Sequence, residues 1–261
     1  MFGLPAGAQT VVKLQICSLH HYEKDPFKDR SGEEMEKLAT SIRENGLQYP
    51  IIVRPMTEKG HYEILAGRRR VGAVKSNGNT EIDAIIRDAD DNEAAMIVTE
   101  TNLRNREKLF HSEKAFAYKL QLESIKRQGK RSDLEEKAST QVARRLESAA
   151  IIAEKNDVSK DEIRRYIRLT YLITPLLDLV DSGKIPFVAG VDLSYLDDAA
   201  QVLVYNFFFE REYGVRLDLK SAASLRSAFK KDGALTVEAI EAICIDHRKS
   251  NTKTFQSVLK N

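Results

Sequence analysis

Cysteine is scarce in this 261-residue chain: Cys17 and Cys244 stand far apart, with no CxxC pair and no histidine at ligand spacing. That excludes a zinc finger and a disulfide framework, and a reducing compartment is expected. Long apolar runs are missing too. The two best stretches, Ile173–Val180 and Val202–Phe209, are interrupted by Pro175, Asp178 or Asn206 and fall far short of the roughly 20 residues a membrane span needs. Met1–Thr10 has neither the basic nor the apolar region of a secretion signal. A cytoplasmic protein without membrane association is therefore expected. Charge of one sign is not in excess, since 41 basic residues face 39 acidic ones for a net charge of +2. Internal repeats and low-complexity blocks are absent. His20 and His21 lack a second ligand pair and read as solvated imidazoles.

What is present is an uneven distribution. Between Arg104 and Arg145 there are 12 basic against 6 acidic residues, a local footprint that suits a polyanion or a solvated helical face. Hydrophobic periodicity divides the chain into three parts, 1–107, 108–196 and 197–261. In the first, Ser31-Gly32-Glu33-Glu34 reads as a capping box that opens a helix, and Asn45-Gly46 stops it. Pro50–Arg54, His61–Leu65 and Ile82–Ile86 read as strands, and Gly67–Ser76 and Asp91–Thr99 as helices. From Ser112 onward the period is helical, with Gln128–Lys137 as a polar loop. The expected class is α+β, mainly helical: a small α/β amino-terminal domain, a helical middle domain and a helical carboxyl-terminal region.

The sharpest local signal runs from Ala149 to Leu169. A short helix, Ala149–Glu154, is followed by a turn at Asn156-Asp157-Val158 and a second capping box, Ser159-Lys160-Asp161-Glu162. This is helix-turn-helix spacing, with Ala153 at the close approach, Val158 as the plug of the turn, and Ile163 and Ile167 facing inward. Ser159, Lys160, Arg164, Arg165 and Arg168 are the candidate double-stranded-DNA contacts, since recognition helices present base readers near their start and phosphate-neutralising arginines along the same face. A basic helical hairpin in a structural bundle is the alternative.

A second signal is Leu65-Ala66-Gly67-Arg68-Arg69-Arg70, which follows a strand and opens a helix. Glycine lets backbone approach a ligand, free amides at a helix start favour an anion, and arginines add charge-assisted bonds to phosphate. Gly67, Arg68, Arg69 and Arg70 are thus candidate phosphate binders. Farther on, Glu100 and Asn102 are oxygen donors of the kind that suits Mg²⁺ on a nucleotide.

These residues together resemble a known family. Gly46–Arg54, Leu65–Ala73 and Glu100–Arg104 are similar, in order and spacing, to the three boxes of the ParB amino-terminal domain, and the helix-turn-helix follows where that family places it. The resemblance covers about residues 10 to 196. It implies a ParB/sulfiredoxin-like fold, binding of CTP with Mg²⁺, slow CTP hydrolysis, closure into a clamp on DNA, and recognition of a centromere-like site in plasmid, mobile-element or chromosome partition. It also implies a homodimer joined through the carboxyl-terminal part, a ParA-like ATPase partner, and a nucleoid- or plasmid-associated location. Matched residue by residue, Gly67, Arg69 and Arg70 correspond to the phosphate box and Asn102 to the metal-holding asparagine. Arg68 stands where the family usually has glutamate, Thr101 where a glutamate precedes the asparagine, and Tyr49 where glutamine precedes the proline. Glu100 is displaced by one residue, a rotation of about 100° on a helix.

Two other functions fit the same fold. A kinase-like enzyme would need a general base, for which Glu34, Glu63 and Glu100 qualify by type, though no catalytic residue is singled out. A DNA-binding transcriptional regulator would need no nucleotide switch. Reductase chemistry of the sulfiredoxin kind is excluded, because Arg68 occupies the place of the reactive cysteine.

Overall fold

The computed structural model describes residues 10–29, 32–105, 108–132, 141–210 and 217–244. The chain forms two compact units, one made of residues 1–108 and 120–157, the other of 109–119 and 158–261.

The first unit is built on a mixed five-stranded sheet. Its strands are β1 (Val11–Gln15), β2 (Leu19–His21), β3 (Ile51–Pro55), β4 (Tyr62–Ala66) and β5 (Glu81–Ile86), in the spatial order β1-β5-β3-β4-β2. β1 is antiparallel to β5 and β3 to β4, while β3 is parallel to β5 and β2 to β4. The central strands carry the core because alternate residues point to one face. Ile51, Val53, Ile64, Ile82 and Ala84 meet Val71 and Val74 of helix α2 (Arg68–Ser76) there, with Ile42 of helix α1 (Glu33–Asn45) packed against them. The periodicity located β3, β4 and β5 but not the edge strands β1 and β2.

α1 begins at Glu33 with Gly32 in the N-cap position at φ 81°. Ser31, the expected cap, lies outside the described residues, and Glu34 accepts a hydrogen bond from Arg69. The helix stops, as expected, at Gly46, whose φ of 72° suits a residue without Cβ. Helix α3 (Asp91–Asn105) is longer than the sequence suggested and starts at a reciprocal cap, Asp90 Oδ1 accepting from the Glu93 amide and Glu93 from that of Asp90.

Helix α4 (His111–Ser132) contributes its first turns to the second unit and the remainder to the first. Residues 128–132, expected in a loop, continue this helix, because Gln, Lys and Arg are good helix formers and one glycine costs only about 1 kcal/mol in an otherwise helical run. The rest of that expected loop, 133–137, lies outside the described residues. Helix α5 (Gln141–Asn156) likewise extends well beyond the short helix expected. In the first unit a polar chain ties three helices together: the fully buried Gln121 of α4 donates to Thr99 Oγ1 of α3 at 3.0 Å and accepts from Asn156 Nδ2 of α5 at 3.2 Å.

The second unit is helical: α6 (Lys160–Leu169), α7 (Thr174–Asp181), α8 (Phe187–Leu193), α9 (Asp198–Tyr205), a π-helical turn (Asn206–Glu210) and α10 (Leu219–Asp232), followed by a helical segment at 237–244. Ile163, Leu169, Leu176, Ile185, Leu193 and Leu225 are fully buried in it. Gln201, also fully buried, is satisfied on both sides, accepting from the Ile173 amide at 2.8 Å and donating to the carbonyls of Tyr171 and Leu196 at 3.0 Å each. Phe207 and Phe208 are buried side by side, so they serve packing. Among the described residues no helix is long and apolar enough to cross a membrane.

Candidate functional site

In the first unit β4 runs into Gly67 and then into α2. Gly67 adopts φ 101°, and a Cβ there would lie 2.7 Å from Ile51 Cγ2 and 2.9 Å from Arg70 Nη2. Only glycine makes this turn at this distance from its neighbours. The turn closes one end of a pocket of about 180 Å³ lined by Asp25, Ile64–Arg70, Thr101, Asn102 and Asn105.

The three arginines of the turn have different partners. Arg68 is tied down by Asp25 at 2.8 Å, the Phe27 carbonyl at 2.6 Å and Asp29 at 2.8 Å, so it fixes the loop after β2. Arg70 donates to the carbonyls of Tyr49 at 2.5 Å and Pro50 at 2.8 Å, and burial lowers its pKa. It clamps the segment that leads into β3. Arg69 pairs loosely with the half-exposed Glu34 at 3.3 Å, and its Nε is buried without a hydrogen-bond partner. Of the four expected phosphate binders, all line the pocket, yet Arg69 alone among the three arginines has no bond to a backbone carbonyl.

The expected metal ligands separate. Asn102 lines the pocket and commits its Nδ2 to the Val98 carbonyl at 2.8 Å, which leaves the side-chain oxygen as its acceptor. Glu100 does not line it. Two residues earlier on α3 it faces α5, where it binds Lys155 Nζ at 3.1 Å, while Arg104 donates to the Lys155 carbonyl at 3.1 Å. Two residues apart on a helix, Glu100 and Asn102 are about 200° from one another and so lie on different faces. Asn105 was not anticipated, although its spacing of three from Asn102 placed it on the same face. The candidate bases of a kinase are also engaged elsewhere, Glu63 with Arg54 at 2.7 Å, Glu34 with Arg69 and Glu100 with Lys155. None of the three lines the pocket.

In the sequence between α5 and α6, Asp157 holds φ 54°, the one positive value on a residue other than glycine among the described residues. Ser159 caps α6, its Oγ accepting from the Glu162 amide at 3.1 Å. Ile163 is buried, and Lys160, Arg164 and Arg165 are exposed, Arg164 in an ion pair with Asp161 at 2.9 Å. Arg168 departs from the expectation that it projects outward. It is half-buried, donates to Ser194 Oγ at 3.2 Å and to the Ser194 carbonyl, and stacks on the rings of Tyr195 and Tyr171. Helical periodicity placed it on the face of Arg164 and Arg165 but gave no sign of these partners.

Residues 4–103 match the family model of the ParB N-terminal domain. The chromosome-partitioning protein Spo0J of Thermus thermophilus is 38% identical over 120 residues, which are 46% of this chain and 44% of that protein. The nucleoid occlusion protein of Bacillus subtilis is 43% identical over 93 residues, 36% of this chain and 32% of the relative. The chain thus matches less than half the length of these curated relatives. The structure of a Pnob8-like ParB-N domain covers 94% of this chain and 96% of its own with a TM-score of 0.52 at 17% identity, a likeness of fold.

Proposed function

We propose that this chain, whose residues 4–103 match the ParB N-terminal domain model, is a sequence-specific DNA-binding protein of the ParB type, of plasmid, mobile-element or chromosome partition, that closes on DNA under the control of CTP and Mg²⁺. The pocket behind Gly67 supports the nucleotide half of this reading. A buried guanidinium nitrogen without an acceptor is costly, and a phosphate oxygen supplies the acceptor that Arg69 Nε lacks. The start of α2 adds backbone amides on the same side, and Gly67 keeps the wall low enough for phosphate to approach.

The residues fit the nucleotide better than they fit a fully protein-held metal. Asn102 is the donor available to Mg²⁺, with phosphate oxygens and water completing the shell. The ion would neutralise phosphate charge. Glu63 and Glu100 are paired with Arg54 and Lys155, Glu34 with Arg69, and none of the three lines the pocket, so hydrolysis is slow at most and a kinase-like activity is disfavoured.

The exposed basic face of α6 supports the DNA half. Ser159, Lys160, Arg164 and Arg165 stand at or near its amino-terminal end, where a major-groove helix meets base edges and phosphates. A homodimer through 197–261, a ParA-like ATPase partner and a nucleoid- or plasmid-associated place in the cytoplasm complete the reading. The test is calorimetry with Mg²⁺ and each of CTP, ATP, GTP and UTP on the intact protein and on Arg69→Ala. CTP-selective binding that the substitution weakens about 10- to 100-fold is expected. No binding of any nucleotide removes the clamp and leaves a DNA-binding regulator without a nucleotide switch.

A further inference from the structure

The second unit carries a stack of cations and rings that neither the pocket nor the start of α6 accounts for. Tyr195 is covered by two guanidiniums, with Arg226 Cζ 3.7 Å and Arg168 Cζ 4.1 Å from its ring centroid. Arg168 also lies 4.7 Å from the ring of Tyr171, and Lys119 Nζ lies 5.6 Å from the same ring. The sequence of groups is therefore Arg226, Tyr195, Arg168, Tyr171, Lys119, drawn from α10, the turn after α8, α6, the turn after α6, and α4. All of these separations are within the reach of cation–π attraction.

Two features argue against a purely internal brace. Tyr171 and Tyr195 remain 54% and 42% exposed, far more than tyrosines that serve only packing, such as Tyr166 at 6%. Of the three cations, Arg226 is paired with Asp192 at 2.8 Å, a side chain only 17% exposed, while Arg168 and Lys119 are in no ion pair among the described residues. The patch is basic, and its cations are already ordered, so little side-chain entropy remains to be lost on meeting an anion. Its position supplies the partner. Asp161, Arg164, Arg165 and Arg168 are spaced i, i+3, i+4 and i+7, so the half-buried Arg168 lies one turn along the helix face that carries the exposed Arg164 and Arg165 and leads from it to the two tyrosines.

We propose that this stack is a second DNA-contacting surface, one that grips the phosphate backbone beyond the stretch read by the start of α6. The inference rests on the DNA-binding reading of α6 and extends it to Lys119 and Arg226, on elements remote from it in sequence. A DNA backbone is the occupant chosen because the patch is continuous with a basic helical face and offers cations with tyrosine edges rather than an apolar groove.

The test uses the full chain and a fluorescent random-sequence DNA duplex, with affinity measured by anisotropy across a salt series and folding followed by thermal unfolding. Lys119→Gln and Arg226→Gln are each expected to reduce the slope of log affinity against log salt by about 0.9, the loss of one phosphate contact, with unfolding still cooperative in both and its midpoint lowered in Arg226→Gln alone, where Asp192 loses its partner. Arg226→Lys restores the slope in part, because charge rather than packing is what the contact needs. Wild-type slopes in Lys119→Gln and Arg226→Gln, alongside reduced slopes in Lys160→Gln and Arg165→Gln, overturn the second surface while leaving α6 in place. Wild-type slopes in all four, or no DNA binding by the unaltered chain, overturn both.

Discussion

Arg70 reaches back across 21 residues of sequence to donate a 2.5 Å hydrogen bond to the carbonyl of Tyr49. With its second bond, to the Pro50 carbonyl, it holds the entry to β3 against the start of α2. Adjacent arginines that look interchangeable in sequence thus have separable duties.

That separation predicts opposite phenotypes. Arg70→Ala leaves two carbonyls without their donor and is expected to lower the stability of the first unit by about 2 kcal/mol, read as a lower denaturant midpoint. Arg69→Ala is expected to leave that midpoint nearly unchanged and to weaken CTP binding about 10- to 100-fold, the worth of a charge-assisted bond. Equal effects of both substitutions on both measurements would show that the division is wrong.

Gly67→Ala tests the turn itself. At φ 101° and with Ile51 Cγ2 2.7 Å from the added carbon, it is expected to destabilise the first unit by about 1–3 kcal/mol and to abolish nucleotide binding. Thermal unfolding and calorimetry on the same sample decide the point, and a fully stable, nucleotide-binding variant counts against the geometry.

Ser159→Ala removes the oxygen that accepts from the Glu162 amide. The expected cost is about 1 kcal/mol of stability, detectable as a shifted unfolding midpoint, with Ser159→Asp restoring most of it. A midpoint unmoved by Ser159→Ala would mean that the cap contributes nothing.

His111 sits between the rings of Tyr166 and Phe187, and burial pushes its pKa below 6.5, with Lys114 adding to the effect and Asp181 opposing it. The unfolded chain then binds a proton more readily than the folded one. Stability is full above about pH 6.5 and is lost as pH falls through the lower folded value. The slope of unfolding free energy against pH below that point is expected to shrink in His111→Gln; an unaltered slope would assign the pH dependence to other groups.

The sequence was most informative where a residue's role is settled by its near neighbours. The turn at Gly67, the stop at Gly46 and the cap at Ser159 were all legible because each depends on backbone conformation within a few residues. The strands β3, β4 and β5 were legible from alternation. β1 and β2 were not, since each is a short edge strand whose identity depends on a partner far along the chain. The same distance hid the pairing of Glu100 with Lys155 and of Arg168 with Ser194 and Tyr195. Charge on a helix announces a solvated or ligand-facing side, but which oppositely charged or aromatic group waits there is decided by tertiary packing. Asn105 is the exception, being one helical turn from Asn102 and open to discovery by spacing alone.

The division of α4 between two units bears on how the chain is made. The first unit needs Gln121 from α4 and Asn156 from α5 beside Thr99 before its polar interior is satisfied. A ribosome that has released only the sheet and α3 has therefore exposed an unfinished domain, with Thr99 still awaiting its partner. The first unit is complete only once residue 157 has cleared the exit tunnel, when the start of α6 is the next segment to emerge. Synthesis thereby completes the pocket and delivers the exposed basic helix α6 in close succession.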